Sequence, residues 1–205
     1  MNIAKLLPMA FVMIAGPQIL SAIFLATSEN WRRNSAAYIA GAALSITAIV
    51  SIAFFVGIGG SDAGASSDAL EIVVLVLLVF AALHAFLTRK TAEPPKWMGK
   101  LQTASPRFSF RLGFLLLGVF PTDILTSVAV GGYLAAQDDP WWHYLPFVLL
   151  TLLFLALPAI LLLVFGQRAQ AFLPKARDWM NSNSWVVSEI VIGLFIVITI
   201  NSIAG

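Results

Sequence analysis

Two short segments place a polar side chain shortly after a proline, inside long apolar stretches of the sequence. The first reads Gly16-Pro17-Gln18-Ile19-Leu20-Ser21 and the second reads Pro121-Thr122-Asp123-Ile124-Leu125-Thr126. Both contain proline, a polar residue, Ile-Leu and a hydroxyl residue, although the second has one extra position. A polar group in the middle of an apolar segment is costly in a bilayer, and it usually lines a pathway for a substrate or an ion.

Proline determines what the backbone can do at these two places. It removes one helical hydrogen bond, here to the carbonyls of Met13 and Leu117, and those groups then need another partner or a wet cavity. Because proline favours the first turn of a helix, Pro17 and Pro121 can each begin a half-helix. We expect the two half-helices to run in opposite directions with their positive ends near the middle of the membrane. An anionic carboxylate or phosphate would bind well there.

Asp123 is the strongest candidate for a functional residue. Protonation would let its carboxyl group move between polar and apolar surroundings, which is how a proton can be coupled to a substrate. The alternative is that Asp123 only caps the broken helix. Gln18, in the first segment, either binds substrate or forms a helix–helix hydrogen bond. The other candidates for substrate or coupling contacts are Pro17, Pro121, Thr122, Ser21 and Thr126.

A second group of polar residues could form a gate or a proton path. Glu29, Arg32 and Arg33 could form a cytoplasmic gate, although the two arginines could equally serve only to set the topology. His84 either takes part in proton transfer or lies at the membrane interface, and Glu189 could pair with a basic loop. The two histidines of the chain are expected on opposite sides of the membrane, so we expect no metal site and no cofactor.

The composition indicates an integral membrane protein. The chain has 205 residues, of which 60% are hydrophobic and only 11% are charged, whereas a soluble domain typically has about 25% charged residues. The absence of cysteine excludes disulfides, thiolate metal sites and thiol redox chemistry. The sequence has no GxxxxGK(S/T) loop, no HExxH motif and no serine–histidine pair at a shared depth. We therefore expect neither an enzyme nor a nucleic-acid partner.

Six apolar segments are long enough to cross a bilayer, which takes about 20 residues. We predict an all-α membrane protein with spans at 6–27, 35–58, 70–88, 112–136, 144–166 and 185–204. The first and fourth spans should be broken or kinked at their prolines, and the fifth should be kinked at Pro158. Ala37, Gly41 and Ser45, at four-residue spacing, either allow close helix packing or only reflect how common alanine is in apolar helices.

The basic residues determine the predicted orientation. Eleven of the twelve lysine and arginine residues lie in the first, third and fifth loops. Basic loops stay in the cytoplasm, so both termini should face outward from the cell (plasma) membrane. Six spans in two groups of three then have opposite orientations, which predicts an inverted repeat. The single transmembrane domain would comprise one unit at 1–90, a basic cytoplasmic loop at 89–111 and a second unit at 108–205.

The basic loop 89–111 contains a short apolar cluster. Trp97, Met98 and Leu101 lie on one side of a single helical turn, between lysines. This pattern predicts a short piece of chain in the headgroup region. The basic residues of the loop either serve topology alone or also attract anionic lipid headgroups.

Two sets of residues resemble the lysine exporter superfamily, and more closely its glycolipid-addressing (GAP, Sap-like) branch. The first set is Gly16-Pro17-Gln18, Arg33, Ala36, Tyr38 and Gly41. The second set is Pro94-Pro95-Lys96-Trp97-Met98, Leu101 and Phe110-Arg111-Leu112-Gly113. The likeness covers the whole chain in the number and order of its spans.

That resemblance implies six helices as two inverted three-helix repeats, with functional polar residues in helices one and four. By position these residues are Gln18 and Asp123. Metal-exporting relatives tend to have acidic residues in both places, so the glutamine puts a divalent-metal substrate in doubt. The branch is associated with export of envelope lipids and glycolipids, so the resemblance implies lipid export.

Three functions remain open from the sequence. The first is a proton-coupled exporter or flippase of an envelope lipid, glycolipid or lipid-linked glycan, which needs a lateral opening between helices. The second is an exporter of a small solute such as an amino acid or ion, and the third is a non-transport subunit that organises partner proteins. The residues alone support only a secondary transporter. Its partners would be membrane lipids and a lipid or small-molecule substrate, and a homo-oligomer is also open.

Overall fold

The described part of the chain is helical. The computed structural model describes residues 3–14, 16–57 and 96–183, and the isolated positions 186, 193, 196 and 197. The helices are α1 (Ile3–Ile14), α2 (Pro17–Ala26), α3 (Trp31–Val56), α4 (Pro106–Val119), α5 (Pro121–Ala136), α6 (Leu145–Phe165) and α7 (Gln167–Ser182), with 3₁₀-helices at Lys96–Thr103 and Trp141–Tyr144. The predicted span 70–88 lies outside the described residues, and 185–204 is described only at the isolated positions.

The described helices identify a multi-pass membrane protein. α3, and α6 together with the short helix before it, are each long and apolar enough to cross a bilayer. α4 and α5 form a third candidate span, which is bent by 68° between the two helices. The described residues thus contain two or three of the predicted spans.

Both predicted proline breaks are present. Pro17 begins α2, and Gly16 before it has φ 116° and ψ −139°, which is not a helical conformation. Pro121 begins α5, and Phe120 between α4 and α5 is extended. Proline fits both positions because the first N–H groups of a helix have no partner within that helix. By contrast, α6 continues as one helix through Pro158.

α3 packs against most of the other described helices, and its closest approach is to α4. A Cβ atom on Gly41 of α3 would overlap the carbonyl oxygen of Phe110, and one on Gly113 of α4 would overlap that of Tyr38. The two backbones therefore touch where both helices carry glycine. Of the two alternatives for the small residues of the second span, the contact at Gly41 supports close helix packing.

Several predicted loops are shorter than expected. The second span was predicted to begin at residue 35, but α3 begins at Trp31, so Arg32 and Arg33 lie in its first helical turn and not in the loop before it. α4 begins at Pro106, so the end of the basic loop 89–111 belongs to this helix. The hydroxyl of Ser105 explains this start, because it accepts a hydrogen bond from the backbone N–H of Phe108 over 3.3 Å and caps the helix.

Two further segments between spans are helical. The short piece predicted around Leu101 is the 3₁₀-helix Lys96–Thr103, and Leu101 is fully buried in the core. The basic segment after the fifth span was predicted as a loop, and this was wrong, because residues 167–182 form α7. Ala169 and Leu173, four positions apart, give α7 a buried side that packs with Ala26 and Leu162.

Candidate functional site

The two proline segments meet through one buried hydrogen bond. The side-chain Nε2 of Gln18 donates to the carboxyl oxygen Oδ2 of Asp123 over 2.7 Å. Gln18 is 1% exposed and Asp123 is fully buried. Each residue lies in the first turn of its helix, so the N-terminal ends of α2 and α5 converge on this contact.

The converging helix ends favour negative charge. Their first N–H groups lack partners within the helix, and the helix dipole adds partial positive charge at the same place. Asp123 is the third residue of α5, where a carboxylate is stabilised, and Gln18 supplies a further N–H donor from the other helix. The group between the two helix ends is therefore the carboxyl group of this chain's own aspartate.

The carboxyl group of Asp123 bonds across helices and does not cap its own helix. The residue before α5 is Phe120, which offers no side-chain cap. The described partners of the Asp123 side chain are Gln18 and, over a longer 3.4 Å, the hydroxyl of Thr122. The residue thus links two segments that lie 105 positions apart.

Gly16 and Tyr38 hold Gln18 in its position. The φ of 116° at Gly16 is one that residues with a side chain rarely adopt. The hydroxyl of Tyr38, in α3, donates to the backbone carbonyl of Gln18 over 2.9 Å. Tyr38 contacts Gln18 but was not among the predicted site residues, because its only signal in the sequence was its place in the family resemblance.

The hydroxyl residues of the two proline segments make the same local contact. Ser21 Oγ donates to the carbonyl of Pro17 over 2.6 Å, and Thr126 Oγ1 donates to that of Thr122 over 2.7 Å. Each bond runs four positions back along its own helix. Thr27, Ser109 and Thr151 make the same bond elsewhere in the chain, so it is an ordinary contact of a hydroxyl residue near or within a helix.

Two buried polar atoms of the site have no hydrogen-bond partner within the described residues, namely Gln18 Oε1 and Ser127 Oγ. Ser127 lies four positions after Asp123, which places both on one side of α5. An unpaired buried polar atom costs about 1–3 kcal/mol, so both atoms are suited to bind water or a polar part of a substrate. The four-residue spacing from Asp123 was the sequence signal that could have identified Ser127.

A comparison with protein families covers nearly the whole chain. The family model described as "Sap, sulfolipid-1-addressing protein" matches residues 6–203. The chain belongs to the Sap family. This confirms the resemblance to the glycolipid-addressing branch of the lysine exporter superfamily. No curated protein and no solved structure gives a significant match to this Sap-family chain.

Not all of the candidate residues of the Sap-family chain are at this site. Pro121 and Thr122 are both exposed at the start of α5, although the Thr122 hydroxyl contacts the buried carboxyl of Asp123 over 3.4 Å. His84 and Glu189 lie outside the described residues. Within the described ranges, no group of three or more histidine, aspartate or glutamate residues could hold a metal ion.

The candidate gate residues lie at the other end of α2. Glu29, Arg32 and Arg33 are exposed, and neither arginine forms an ion pair with Glu29. The guanidinium of Arg32 instead lies over the ring of Trp31, 5.2 Å from its centroid. From Gln18 to the end of α2 is on the order of 10 Å along the helix axis, so these residues do not contact the Asp123 site.

A half-open groove also lies at this end of the Sap-family protein. Its volume is about 260 Å³. It is lined by Ala26, Thr27, Ser28, Trp31, Leu162, Gln170 and Pro174. Behind it, the amide of Asn34 donates to Ser28 Oγ and to the carbonyl of Ala104, each over 2.9 Å.

Proposed function

We propose that this Sap-family protein is a proton-coupled exporter or flippase of an anionic envelope lipid or glycolipid. The observation that carries the proposal is the buried bond between Gln18 and Asp123 at the ends of two broken helices. The family description names the addressing of sulfolipid-1. A sulfolipid carries a negatively charged group, and helix N-termini are binding sites for such groups.

In this proposal, Asp123 and the substrate compete for the same helix ends. When Asp123 is ionised, its carboxylate occupies them and accepts a hydrogen bond from Gln18. Protonation removes the negative charge, so the helix ends become available to an anionic headgroup. Release of the proton restores the carboxylate, which then displaces the headgroup. The lipid and the proton therefore cross in the same direction, so a pH gradient drives the lipid from the acidic to the alkaline side and export proceeds down the concentration gradient of the lipid.

Gln18 suits both protonation states of its partner. Its amide has a donor and an acceptor. Nε2 donates to the carboxylate, and after rotation of the amide Oε1 accepts the proton of the carboxylic acid. Neither state of Asp123 is then left without a partner, which lowers the cost of changing between them inside the membrane.

We also propose that the chain has six spans as two inverted three-helix repeats. The pairs α1–α2 and α4–α5 would be corresponding broken helices, supported by the proline that begins the second helix of each pair after a non-helical residue. Motion of one repeat against the other would open the Gln18–Asp123 contact to one side of the membrane at a time.

The test is lipid movement in proteoliposomes with an imposed pH gradient. The probe is a glycolipid with a sulfated, fluorescent headgroup, and the control is the same fluorophore on phosphatidylcholine. We expect the pH gradient to drive the sulfated lipid across the bilayer and to leave the control in place. Movement of both lipids, or of neither, would contradict the proposal.

A non-transport subunit is the second candidate. The complete burial of Asp123 favours it, because a hydrogen bond closed to solvent could serve only to hold α2 and α5 together. Native mass spectrometry of the purified protein distinguishes the two. A transporter should retain a sulfated or glycosylated lipid, whereas a scaffold should retain partner proteins instead.

A further inference from the structure

One side of α7 alternates basic and aromatic residues. Arg168, Phe172, Lys175 and Trp179 follow one another at intervals of four, three and four positions, which places them along one helix face. All four are exposed in the described part of the chain, Phe172 by 61% and Trp179 by 53%. We call these four residues the basic–aromatic face of α7.

A neighbouring side of α7, about 100° round the helix axis, is packed against the protein. Ala169 and Leu173 are buried in one cluster with Ala26 of α2 and Leu162 of α6. This packing fixes which side of α7 points away from the bundle. The exposure of the basic–aromatic face therefore follows from how the helix is held.

The third basic residue of α7 has its charge compensated within the protein. Arg177 pairs with Asp178, with 2.7 Å between Nη2 and Oδ1, and its guanidinium lies 5.1 Å from the ring centroid of Phe24. The remaining basic residues, Arg168 and Lys175, give the basic–aromatic face a net positive charge.

α7 begins where a membrane span ends. α6 has 21 residues, which is about 30 Å of helix and matches the hydrocarbon thickness of a bilayer. Gly166, with φ 49°, then interrupts the helix, and α7 starts at the next residue. A helix that starts there lies at the level of the lipid headgroups, where tryptophan and basic side chains are preferred.

We propose that the basic–aromatic face of α7 binds the anionic lipid surface of the membrane. Phe172 and Trp179 insert between the headgroups, and Arg168 and Lys175 contact lipid phosphates. The positive charge selects anionic over zwitterionic lipid, and the exposed aromatic rings select a lipid surface over a free anion. This inference does not depend on the proposed transport function.

The absence of cysteine allows a direct test with a single label. Ala171 is exposed beside the face, and an Ala171→Cys variant of the full chain carries a fluorophore there. The labelled protein is reconstituted with brominated phosphatidylcholine or brominated phosphatidylglycerol, which quench the fluorophore on contact. We expect the basic–aromatic face to bind phosphatidylglycerol in preference to phosphatidylcholine, by roughly fivefold per basic residue. High salt should remove this preference.

Charge removal on the face provides the matched comparison. Arg168→Gln with Lys175→Gln should abolish the lipid preference. Arg107→Gln with Arg111→Gln removes the same charge from exposed positions of α4. This pair should leave the lipid preference measured by the fluorophore at position 171 intact. If the first pair does not fold, the salt dependence of the labelled parent protein still decides the question.

Three outcomes would overturn the inference. Equal quenching by both lipids would show that the face does not select anionic headgroups. Weak quenching by both, with energy transfer between labels on different molecules, would show that a second copy of the chain covers the face. Weak quenching by both without energy transfer would show that another part of the chain covers it.

Discussion

Asp123 and Gln18 form a pair in which only one member can carry charge. Two carboxyl groups at a separation of 2.7 Å would have to share a proton. A carboxyl group opposite an amide can instead take up or release a proton while the partner changes from donor to acceptor. At the scale of single residues, the pair is therefore suited to a single proton and a single negative charge.

The first prediction concerns Asp123→Asn. Asparagine keeps an oxygen that can accept from Gln18, so the variant should fold with a loss of only about 1 kcal/mol, the difference between a charged and a neutral hydrogen bond. It cannot ionise, so it should still retain lipid in native mass spectrometry and should lose pH-driven movement of the sulfated probe in proteoliposomes.

Asp138→Asn is the matched control for this prediction. Asp138 is exposed and has φ 51°, a conformation that asparagine also tolerates. It undergoes the same chemical change away from the site and should transport like the parent protein. If Asp123→Asn transported equally well under the pH gradient, Asp123 would be a structural residue.

The sequence singled out the two residues that form the buried hydrogen bond, but it did not predict the bond itself. Gln18 and Asp123 were selected because polar groups after a proline in an apolar segment are rare and costly. Their hydrogen bond depends on how α2 and α5 pack, and no local pattern encodes that. Tyr38 could not be found in the same way, because it binds a backbone carbonyl and an aromatic residue in a span has many ordinary roles.

At the scale of helices, a break and a close crossing position the site. Gly16 and Phe120 interrupt the two broken helices, so that the first turns of α2 and α5 are available to face each other. The contact of Gly41 with α4 then sets the separation of α3 and α4. Tyr38 lies on α3 next to that crossing, and it binds the start of α2.

The second prediction concerns the prolines that start α2 and α5. Pro17→Ala and Pro121→Ala restore an N–H group and let the helix run through the break. Each should reduce transport severalfold with little loss of stability, because alanine is also accepted at the start of a helix. Pro146→Ala, at the start of the unbroken α6, is the control and should leave transport unchanged. A variant that unfolds, or that folds and transports like the parent protein, would contradict the prediction.

The third prediction concerns Gly113→Ala. The new Cβ would overlap the carbonyl oxygen of Tyr38, a backbone atom that cannot turn away. We expect a loss of about 1–3 kcal/mol in unfolding free energy, measured by denaturation in mixed micelles. Gly118→Ala is the control, because its Cβ would meet only the hydroxyl of Ser45, which can rotate. Equal losses in the two variants would show that the crossing is not tight.

The sequence predicted the proline breaks better than the ends of helices. Proline restricts the chain locally, so Pro17 and Pro121 indicated where α2 and α5 begin. α7 was missed because the many polar residues at 167–182 obscured the spacing of Ala169 and Leu173. α4 extends beyond its apolar part because Ser105 caps it at an exposed position, which hydropathy cannot reveal.

At the scale of the whole molecule, the orientation rests on the distribution of basic residues. The segments around 59–69 and 137–143 contain no lysine or arginine, whereas those on the other side contain eleven. An excess of that size is a strong topological signal, because basic loops resist translocation. The predicted placement of both termini outside the cell depends on this orientation.

The fourth prediction tests the orientation with single cysteines in the cysteine-free chain. A membrane-impermeant maleimide added to intact cells should modify Ser61→Cys and Ser66→Cys. It should modify Thr103→Cys, at an exposed position of the 3₁₀-helix, only after the membrane is opened. Labelling of Thr103→Cys in intact cells would reverse the predicted orientation.

The bond between Gln18 and Asp123 also imposes a delay during biosynthesis. Its partners are 105 residues apart, so at a synthesis rate of about 5–20 residues per second the glutamine amide waits roughly 5–20 s for its acceptor. Asn34 likewise waits for the carbonyl of Ala104. A chain truncated between these positions therefore lacks the acceptor of Gln18 Nε2 and one of the two acceptors of the Asn34 amide, and we expect it to be less stable in the membrane than the full chain.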